Sequence, residues 1–590
     1  MRRNCREPKL RRTALLFTTL WTFCFCNAMH RAVIFAEESV ASESSTSHET
    51  IVDLKKTMNL AGQNLLNMLC EERNYLPYFI AMVERDYRAE MQFFHPHHNL
   101  GRVWDSLLRL ENATGYVIPA HIEGALLENL HKFFDNPDNL CLYPLDMPYK
   151  TVDLFCFHSL REALLALDSL MRYRNNLWAR ETAHKMLVTV NDILLPEESW
   201  RVKNSVWDVE KTRRYRDLEI EKPHGGWALS LQSSEGRLIE PLLLYHETTK
   251  DPLAMELADK FARFHLEYST RPDGEFYGHP VVAGHTHSYM GTIRGVLYYG
   301  LVTGQRKYVE AVEKTYRVGI QKIVKKSGLT THDLGREGGA DVASASDAAI
   351  IALWLAIHAG YPEYLDDVER LVRARMVPSQ ILESPKLTSK IDLSQKDKEH
   401  TSVSPDGRVA YLDFPSDMQQ RIIGALGICT EPHAGKLSVT DVTAAILQSM
   451  IDIYRHIAVK DEKGLTVYFH LDYEDENIEV RSVRAKSARV TIRVKQKNDL
   501  RIRVPRWTPR ESVEVSIAGQ SVPPKIVHDF LRISGDMLEG EVVLTYGLPV
   551  RKETERSVGV DWVLTWRGDE IIGIFPNSDF YPFFRTGTGH

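Results

Sequence analysis

Cysteine is scarce in this chain, and no two cysteines have the CxxC spacing of metal fingers or redox motifs. The sequence contains seven cysteines, three of which lie before residue 27. The other four are Cys70, Cys141, Cys156 and Cys429. Their spacing excludes a zinc-finger framework. It leaves two alternatives open: one or two disulfides, for example Cys141 with Cys156, or buried thiols.

An excess of basic residues is also missing. Lys and Arg number 73 against 79 Asp and Glu, which gives a formal net charge of -6. Nucleic-acid-binding proteins usually carry a basic surface, so this balance argues against a nucleic-acid partner. Hydrophobic residues make up 43% and charged residues 26% of the 590 positions. Such a chain is typical of a large globular protein with two or three domains, or with one large barrel and an appendage.

An apolar run of membrane-spanning length is missing even at the N-terminus. Six basic residues precede an apolar run from Ala14 to Cys26, which is short for a membrane span. The pattern predicts a cleaved export signal over residues 1–36, with a retained membrane anchor as the less favoured alternative. Residues 37–51 are polar and are predicted to be a disordered leader. We therefore expect an exported protein, periplasmic or extracellular, without stable membrane insertion.

What the chain does contain, over residues 52–462, is helical periodicity. Some segments, such as Leu253 to Phe264, have one apolar face, whereas others, such as Ile350 to Ile357, are apolar all round and need burial on every side. The two kinds alternate six times, which predicts a mainly α fold, an (α/α)6 barrel of six helical hairpins. Inner helices are expected near residues 100–111, 155–171, 236–247, 287–303, 342–359 and 437–456. Outer helices are expected near residues 55–90, 118–134, 177–194, 252–268, 305–325 and 362–382.

Two other segments depart from this helical pattern. Residues 384–407 are polar and aperiodic, which predicts a long insertion loop within the barrel. From residue 463 to 590, short segments such as Leu465 to Leu471 and Ala488 to Val494 alternate with a period of two. Strands at this spacing are typical of a β-sandwich domain. Its aromatic C-terminal segment is expected to pack against one of the two domains.

Four segments of the β-rich part occur in the order seen in a known family: LRIRVPRW at 500–507, VEVSIAG at 513–519, FLRI at 530–533 and LPVR at 548–551. In the helical part, Gly284-His285 with Arg294-Gly295 is similar to that family's GHxxRA helix. From about residue 220 to 551 the chain thus resembles glycoside hydrolase family 127, the β-L-arabinofuranosidase-like proteins of the six-hairpin glycosidase superfamily. The resemblance implies a helical catalytic barrel followed by a β-sandwich, and hydrolysis of O-glycosidic bonds.

The residues that would bind zinc in this family are altered here. The resemblance implies a nucleophilic cysteine that binds zinc together with two further cysteines and a glutamate, beside a separate acid/base glutamate. Asp341 stands at the position of the zinc-binding glutamate, but Ala343 replaces a cysteine, and Cys429 is all that remains of an adjacent pair. Zinc in proteins prefers four ligands, mostly Cys and His, so we predict no cofactor and no metal site. A zinc site is the less favoured alternative.

Without zinc, glycoside cleavage requires two carboxyl groups, one that protonates the leaving oxygen and one that attacks or activates water. Residues on loops before apolar helices supply the catalytic candidates, which are Glu431, Glu337, Asp341 and, as a nucleophile, Cys429. Each acid has a structural alternative. Glu337 is equally consistent with a solvated loop acid, and Asp341 with a helix N-cap. Asp347, one and a half turns into a buried helix, is expected to form an ion pair.

Polar and aromatic residues at equivalent positions are the candidates for substrate binding, because sugars need hydrogen-bonding groups and an aromatic platform. They are His285, His287, Arg294, His433, Trp227, His158, Glu235, Arg237, His98 and Asn99. Trp104 and Tyr289 are further platform candidates, although a single aromatic residue of this kind is more often part of the core.

The sequence therefore predicts an exported, arabinofuranosidase-like glycoside hydrolase with a carbohydrate substrate from plant or algal material, and it leaves the oligomeric state open. A non-catalytic carbohydrate-binding or scaffold barrel is one alternative. A polysaccharide lyase is another, with His287, Tyr289 and Arg294 available as base and charge-neutralising groups.

Overall fold

Among the described residues, helices predominate up to Arg455, and strands predominate after it. The computed structural model describes residues 49–93, 96–142, 157–193, 229–230, 235–276, 282–283, 285–332, 334, 342–395, 400–403, 409–426, 436–440, 442–538 and 540–577. The chain divides into Met1–Glu49, of which Glu49 alone is described, and Thr50–His590, which contains all the described helices and strands. None of the helices in the described ranges is both long and apolar enough to cross a membrane.

Twelve helices of seven residues or more lie within the described residues. They are α1 Leu54–Asn67, α2 Pro96–Thr114, α3 Ala120–Phe134, α4 Phe157–Arg174, α5 Leu177–Ile193, α6 Ile239–Thr249, α7 Pro252–Tyr268, α8 Thr286–Thr303, α9 Arg306–Thr315, α10 Val342–His358, α11 Leu365–Leu371 and α12 Val442–Arg455. Local signals set several of these ends. The Asp251 carboxylate accepts a hydrogen bond from the Leu253 amide at the start of α7. Gly304, with a φ of 69°, ends α8.

The even-numbered helices form a closed ring. Helix α2 packs against α4, each later even-numbered helix packs against the one before it, and α12 packs against α2. Because α10 has neighbours all round, its residues from Val342 to Ala356 are buried, as the IIALWLAI run predicts. The odd-numbered helices cover the ring from outside, each with one buried face. In α7, for example, Leu257 and Phe261 are buried and Arg263 is exposed.

Residues 68–93 do not continue the outer helix that the sequence predicts near 55–90. After α1 ends at Asn67, the chain forms β1 Leu69–Cys70, β2 Leu76–Pro77, β3 Ile80–Glu84 and β4 Arg88–Phe93. Asn74 and Tyr75 take left-handed backbone conformations, which a helix cannot contain. In β3 the side chains alternate between buried and half-buried, which is the period of a strand.

The hairpin of β3 and β4 belongs to a sheet built from distant segments. Two short strands, β5 Leu229–Ser230 and β6 Val282–Ala283, lie outside this sheet. The other strands of the sheet are β7 Thr388–Ser389, β8 His400–Val403, β9 Val409–Asp413 and β10 Lys436–Thr440. The sheet has the order β10-β3-β4-β9-β8, with β7 also paired to β4, and β5 pairs with β6 outside it. The predicted insertion loop at 384–407 therefore contributes two strands. The predicted inner helix at 437–456 begins with a strand and becomes helical at Val442.

Strands fill the chain after α12. They are β11 Ala458–Asp461, β12 Gly464–Val467, β13 Tyr473–Glu474, β14 Ile478–Arg484, β15 Ser487–Val494, β16 Leu500–Arg503, β17 Glu514–Ile517, β18 Gln520–Val522, β19 Ile526–Val527, β20 Phe530–Ile533, β21 Glu541–Gly547, β22 Val550–Ser557, β23 Val560–Arg567 and β24 Glu570–Phe575. The sheets are β11-β12-β16-β20-β19, β13-β14-β15-β21-β17-β18 and β22-β23-β24. The inward side chains of the first two sheets share one apolar core.

A buried carboxylate on α11 ties these strands to the helices. Glu369 accepts hydrogen bonds from Arg373 at 2.9 Å, from Arg484 of β14 at 3.1 Å, and from Arg503 of β16. Burial alone would raise the pKa of Glu369, but Arg373 and Arg503 hold it well below its usual range. Helical and β-rich parts thus share one ionic network.

Candidate functional site

Charged side chains from, or just before, the N-terminal halves of five ring helices meet toward one end of the ring. We call this group the ring-end cluster. It comprises Arg102 of α2, Arg161 and Glu162 of α4, Arg237 in the turn before α6, Glu240 of α6, His287 and Arg294 of α8, and Asp347 of α10. All of these side chains are buried. Because these contacts join the N-terminal halves of α2, α4, α6, α8 and α10, the five helices have their N-termini toward the same end of the ring.

Asp347 is the carboxylate that orients His287. Nδ1 of His287 lies 2.6 Å from Oδ2 of Asp347, and Nη1 of Arg294 donates to Oδ1 at 2.8 Å. Arg294 also donates from Nη2 to Glu240 at 2.7 Å. Burial alone would raise the pKa of Asp347, but His287 and then Arg294 outweigh burial and lower it to about 2. Asp347 is therefore ionised at neutral pH, and the ion pair expected from its place in a buried helix is present.

The neighbours of the two ring nitrogens define the tautomer of His287. Nε2 lies 3.4 Å from Nη2 of Arg237, and a guanidinium can only donate. Nε2 therefore accepts, and Nδ1 carries the proton that points to Asp347. The arrangement fixes the orientation of the imidazole, with Nδ1 toward Asp347 and Nε2 toward Arg237.

Three guanidinium groups surround one carboxylate oxygen in the other half of the cluster. Oε1 of Glu162 lies 2.5 Å from Arg161, 2.7 Å from Arg102 and 3.9 Å from Arg237. Arg237 also donates from Nη1 to the Ser288 hydroxyl at 3.2 Å. Burial, followed by repulsion from Arg161 and Arg102, lowers the pKa of Arg237 to about 9. This half of the cluster is rich in positive charge.

Two glycines allow the backbones to approach closely enough for these contacts. A Cβ at Gly101 would lie 2.5 Å from the carbonyl oxygen of Glu162, so α2 and α4 cross at van der Waals distance. A Cβ at Gly236 would lie 2.5 Å from both His265 and Thr292. Glycine at these positions places Arg102 beside Glu162 and Arg237 beside His287.

A second group of buried polar side chains surrounds Asp105, which lies three residues after Arg102 in α2. Asp105 of α2 accepts hydrogen bonds from Ser169 of α4 at 2.5 Å, from Gln448 of α12 at 2.6 Å and from Arg109 at 2.9 Å. Burial raises the pKa of Asp105. These bonds join α2 to α12, where the ring closes.

The structure brings together three of the residues predicted to bind substrate, namely His287, Arg294 and Arg237. His285 lies beside them, with its ring 5.8 Å from that of His287 and 4.1 Å from that of His332. Arg294 is held by two carboxylates inside the ring, where it stabilises the cluster.

Other predicted positions have structural roles. His98 and Asn99 lie inside α2, so their predicted position on a loop is wrong, and their predicted contact with substrate stays a prediction. Asn99 donates from Nδ2 to the carbonyl oxygen of Tyr78, which joins α2 to the segment before β3. Trp104 is fully buried in the core, and the Tyr289 hydroxyl donates to the carbonyl oxygen of Ser269. Both aromatic residues are core.

All four predicted catalytic residues fall outside the described residues, as do two of the predicted binding residues. These are Glu431, Glu337, Asp341, Cys429, His433 and Trp227. The side chains of His158 and Glu235 fall outside as well. Their roles stay predictions.

Sequence reasoning overlooked four members of the cluster, Arg102, Arg161, Glu162 and Glu240. Each stands in or beside an otherwise apolar helical pattern, such as LREALLAL around Arg161 and Glu162. A charge inside a helix that must be buried all round signals a partner across the ring.

The resemblance to glycoside hydrolase family 127 implies a zinc ion, and Ala343 lies at one of the positions that would bind it. Ala343 stands where the family has a cysteine ligand, and its methyl group is fully buried in the first turn of α10. It offers no donor atom. Among the described residues no group of three or more His, Cys, Asp or Glu side chains is placed to hold a metal ion. Asp341 and Cys429, at two further positions that the resemblance assigns to the zinc site, lie outside the described residues, so the absence of zinc stays a prediction.

No protein-family model and no curated protein sequence matches this chain. Solved structures match its fold. One described as a glycoside hydrolase has a TM-score of 0.52 at 11% identity, over 89% of this chain and 81% of that chain. A GH127 β-L-arabinofuranosidase from Geobacillus stearothermophilus T6 has a TM-score of 0.48 at 12% identity, over 81% and 76% of the two chains. An unsaturated glucuronyl hydrolase from Bacillus sp. GL1 has a TM-score of 0.43 at 12% identity, over 68% and 97%. The first of these shows that the chain has a fold also found in a glycoside hydrolase.

Proposed function

We propose that this chain is a glycoside hydrolase that binds its carbohydrate substrate at the N-terminal end of the helical ring. The ring-end cluster carries the proposal, because it gathers ionisable groups with strongly altered pKa values at one end of the ring. The fold shared with a glycoside hydrolase supports it. Fold alone does not define a reaction, so the proposal rests on the site.

The finer parts of the proposal follow the sequence. The closed ring and its outer helices are taken as the (α/α)6 barrel, and the C-terminal strands as the β-sandwich. The substrate is a plant- or algal-type oligosaccharide or polysaccharide, with arabinofuranosidase-like cleavage and export as expected from the N-terminal pattern.

Two described anchors support Glu431 and Asp341 as the acid and base. The amide and carbonyl groups of Leu426 both bond to the hydroxyl of Thr443, in the first turn of α12, at 3.1 and 2.8 Å. The segment with Glu431 starts there and ends at β10. Asp341 directly precedes Val342, the first residue of α10, in the sequence. Closeness in sequence to the first turns of α10 and α12 supports both acids as candidates.

His287 contributes a hydrogen-bond acceptor of fixed orientation, because Asp347 holds the proton on Nδ1. In the proposed reaction a sugar hydroxyl or a proton in transfer replaces Arg237 as the partner of Nε2. In the proposed reaction one carboxyl group protonates the leaving oxygen, and the second attacks the anomeric carbon or activates water.

One observation favours a polysaccharide lyase as the second candidate. A lyase removes a proton next to a carboxylate, and it needs a base and a cation that neutralises the carboxylate. Nε2 of His287 and the guanidinium of Arg237 are 3.4 Å apart and could supply both.

Product analysis separates these functions. Purified protein is incubated with pectic, arabinan and algal polysaccharide fractions, and the products are analysed by chromatography and ultraviolet absorbance. New reducing ends without unsaturated sugars indicate hydrolysis, and unsaturated uronates indicate a lyase. Binding without any product would overturn the proposal of an enzyme in favour of a binding protein.

The variant Glu431→Gln tests the catalytic assignment. We expect a loss of turnover of at least about 10²-fold with the protein still folded, because the amide cannot transfer a proton. Glu511→Gln, at an exposed position among the C-terminal strands, is the matched control. Full activity in Glu431→Gln would refute the role of Glu431 and leave Glu337 and Asp341 to be tested in the same way.

A further inference from the structure

The described members of the ring-end cluster include four guanidinium groups and three carboxylates. The carboxylates are unevenly placed around the arginines. Arg294 is bound by both Asp347 and Glu240, whereas Arg102, Arg161 and Arg237 all approach the single oxygen Oε1 of Glu162.

Arg237 is the arginine of this cluster that lies farthest from a described carboxylate. Its side chain has no exposed surface, and its nearest carboxylate oxygen, 3.9 Å away, is beyond hydrogen-bond distance. Nη1 donates to the hydroxyl of Ser288, Nη2 faces Nε2 of His287, and Nε has no hydrogen-bond partner among the described residues. Burying a cation in this way is costly, and the lowered pKa of Arg237 reflects that cost.

The surroundings of this guanidinium suit an anion. A Cβ at Gly291 of α8 would lie 3.7 Å from Nε, so glycine there leaves that side of the guanidinium without a side chain. The N-termini of α6, α8 and α10 are at the same end of the ring, and helix N-termini favour negative charge. A planar guanidinium matches the two oxygens of a carboxylate or sulfate.

We propose that Arg237 binds an anionic group of the carbohydrate ligand, with Arg161 beside it. The ligand is thus an acidic sugar, whose charge comes from a uronic acid carboxylate or from a sulfate ester. The proposal rests on the proposed function in taking the ligand to be a carbohydrate. It changes the expected substrate, because an arabinofuranoside carries no charge.

A panel of three matched probes tests this inference without turnover. Methyl β-D-glucuronide, methyl β-D-glucoside 6-sulfate and neutral methyl β-D-glucoside are titrated into the full-length protein at constant ionic strength, with binding measured by calorimetry. We expect at least one acidic probe to bind about tenfold or more tightly than the neutral one, as is common for charge-assisted hydrogen bonds. The tighter acidic probe identifies the source of the charge.

Equal affinity for acidic and neutral probes, or no measurable binding of any probe, would overturn the inference. Equal binding would indicate that a carboxylate of the chain itself neutralises Arg237. Because no product is needed, protein that binds acidic sugars but cleaves nothing would contradict the proposed hydrolase and leave the inference intact.

The variant Arg237→Gln separates a ligand role from a structural one. If the charge serves a ligand, the variant loses the preference for acidic probes, and its Tm without ligand is no lower than that of the wild type. If the charge serves the fold, the Tm falls and the preference for acidic probes persists, which refutes the inference. Arg263→Gln, an exposed arginine of α7, is the control and should keep both properties. If Arg237→Gln does not fold, Arg237→Lys replaces it, because lysine keeps the charge but lacks the planar guanidinium. The comparison of the three probes on the wild-type protein then remains the test of the inference.

Discussion

The carboxylate of Asp347 determines the state of two neighbouring side chains. It fixes the tautomer of His287 through one oxygen and neutralises Arg294 through the other. Because it is ionised and buried, its removal leaves Arg294 with Glu240 alone and allows the imidazole to turn. The effect should be visible in stability and in pH dependence.

Replacing Asp347 by Asn should lower the free energy of unfolding by about 3 to 5 kcal/mol at pH 7, because one partner of a buried ion pair is lost. Folding lowers the pKa of Asp347 to about 2 from its usual value of 3.8, so its stabilising contribution is present above the higher value and declines as the pH falls toward the lower one. The difference between wild type and variant should therefore shrink by about 1 kcal/mol between pH 5 and pH 3.

Urea denaturation at both pH values measures this difference. Asp561→Asn removes a carboxylate with 64% exposure and should change stability by no more than about 0.5 kcal/mol. A constant difference for Asp347→Asn at pH 5 and pH 3 would show that its ionisation does not stabilise the fold.

How far single residues could be predicted depends on where their partners lie in the chain. The burial of Asp347 in an apolar helix was enough to predict an ion pair. Its partners were not predictable, because His287 and Arg294 precede it by 60 and 53 residues. Arg102, Arg161 and Glu162 were overlooked for the same reason. The partners of these charged side chains become apparent only when α2, α4 and α6 are neighbours in the fold.

At the level of elements, the crossing of α2 and α4 depends on Gly101. The Cβ of any other residue would meet the carbonyl oxygen of Glu162 at 2.5 Å, and backbone cannot move aside cheaply. The crossing also sets the distance between Arg102 and Glu162.

The variant Gly101→Ala should therefore lose about 1 to 3 kcal/mol of stability through overpacking. Gly124→Ala in α3 is a matched helical control, since an added Cβ there has no atom within 4 Å. It should gain about 0.5 to 1 kcal/mol, because alanine restricts the unfolded chain more than glycine does. Equal effects in the two variants, measured by urea denaturation, would contradict the close approach of α2 and α4.

Helices were predictable as elements because apolar periodicity is a local signal, and each of the twelve lies within a predicted range or close to one. The sheet β10-β3-β4-β9-β8 was not predictable, because its strands come from residues 80–93, 400–413 and 436–440. None of these strands exceeds six residues, so each has too little alternation to contradict the helical pattern around it.

On the scale of the whole molecule, the Glu369 network joins the helical and β-rich parts. Replacing Glu369 by Gln leaves Arg373, Arg484 and Arg503 buried together around a neutral amide. We expect a loss of about 3 to 5 kcal/mol. The strands after Arg455 should also unfold at lower urea concentration than the helices, so that far-ultraviolet circular dichroism and tryptophan fluorescence give different midpoints.

Glu511→Gln, exposed among the same strands, should keep the wild-type midpoints. If Glu369→Gln unfolds in a single transition at the wild-type midpoint, the network does not hold the two parts together.

Closure of the ring has a consequence for how the protein is made. Helices α2 and α12 are joined by the hydrogen bond from the Ser106 hydroxyl to the carbonyl oxygen of Ala444, across 338 residues. Ribosomes add about 5 to 20 residues per second, so this bond cannot form until roughly 20 to 70 s after Ser106 is synthesised. During that interval the first ring helices are without their last neighbour. Their apolar faces are then available to chaperones, and the nascent chain remains without its complete ring until its last helix emerges.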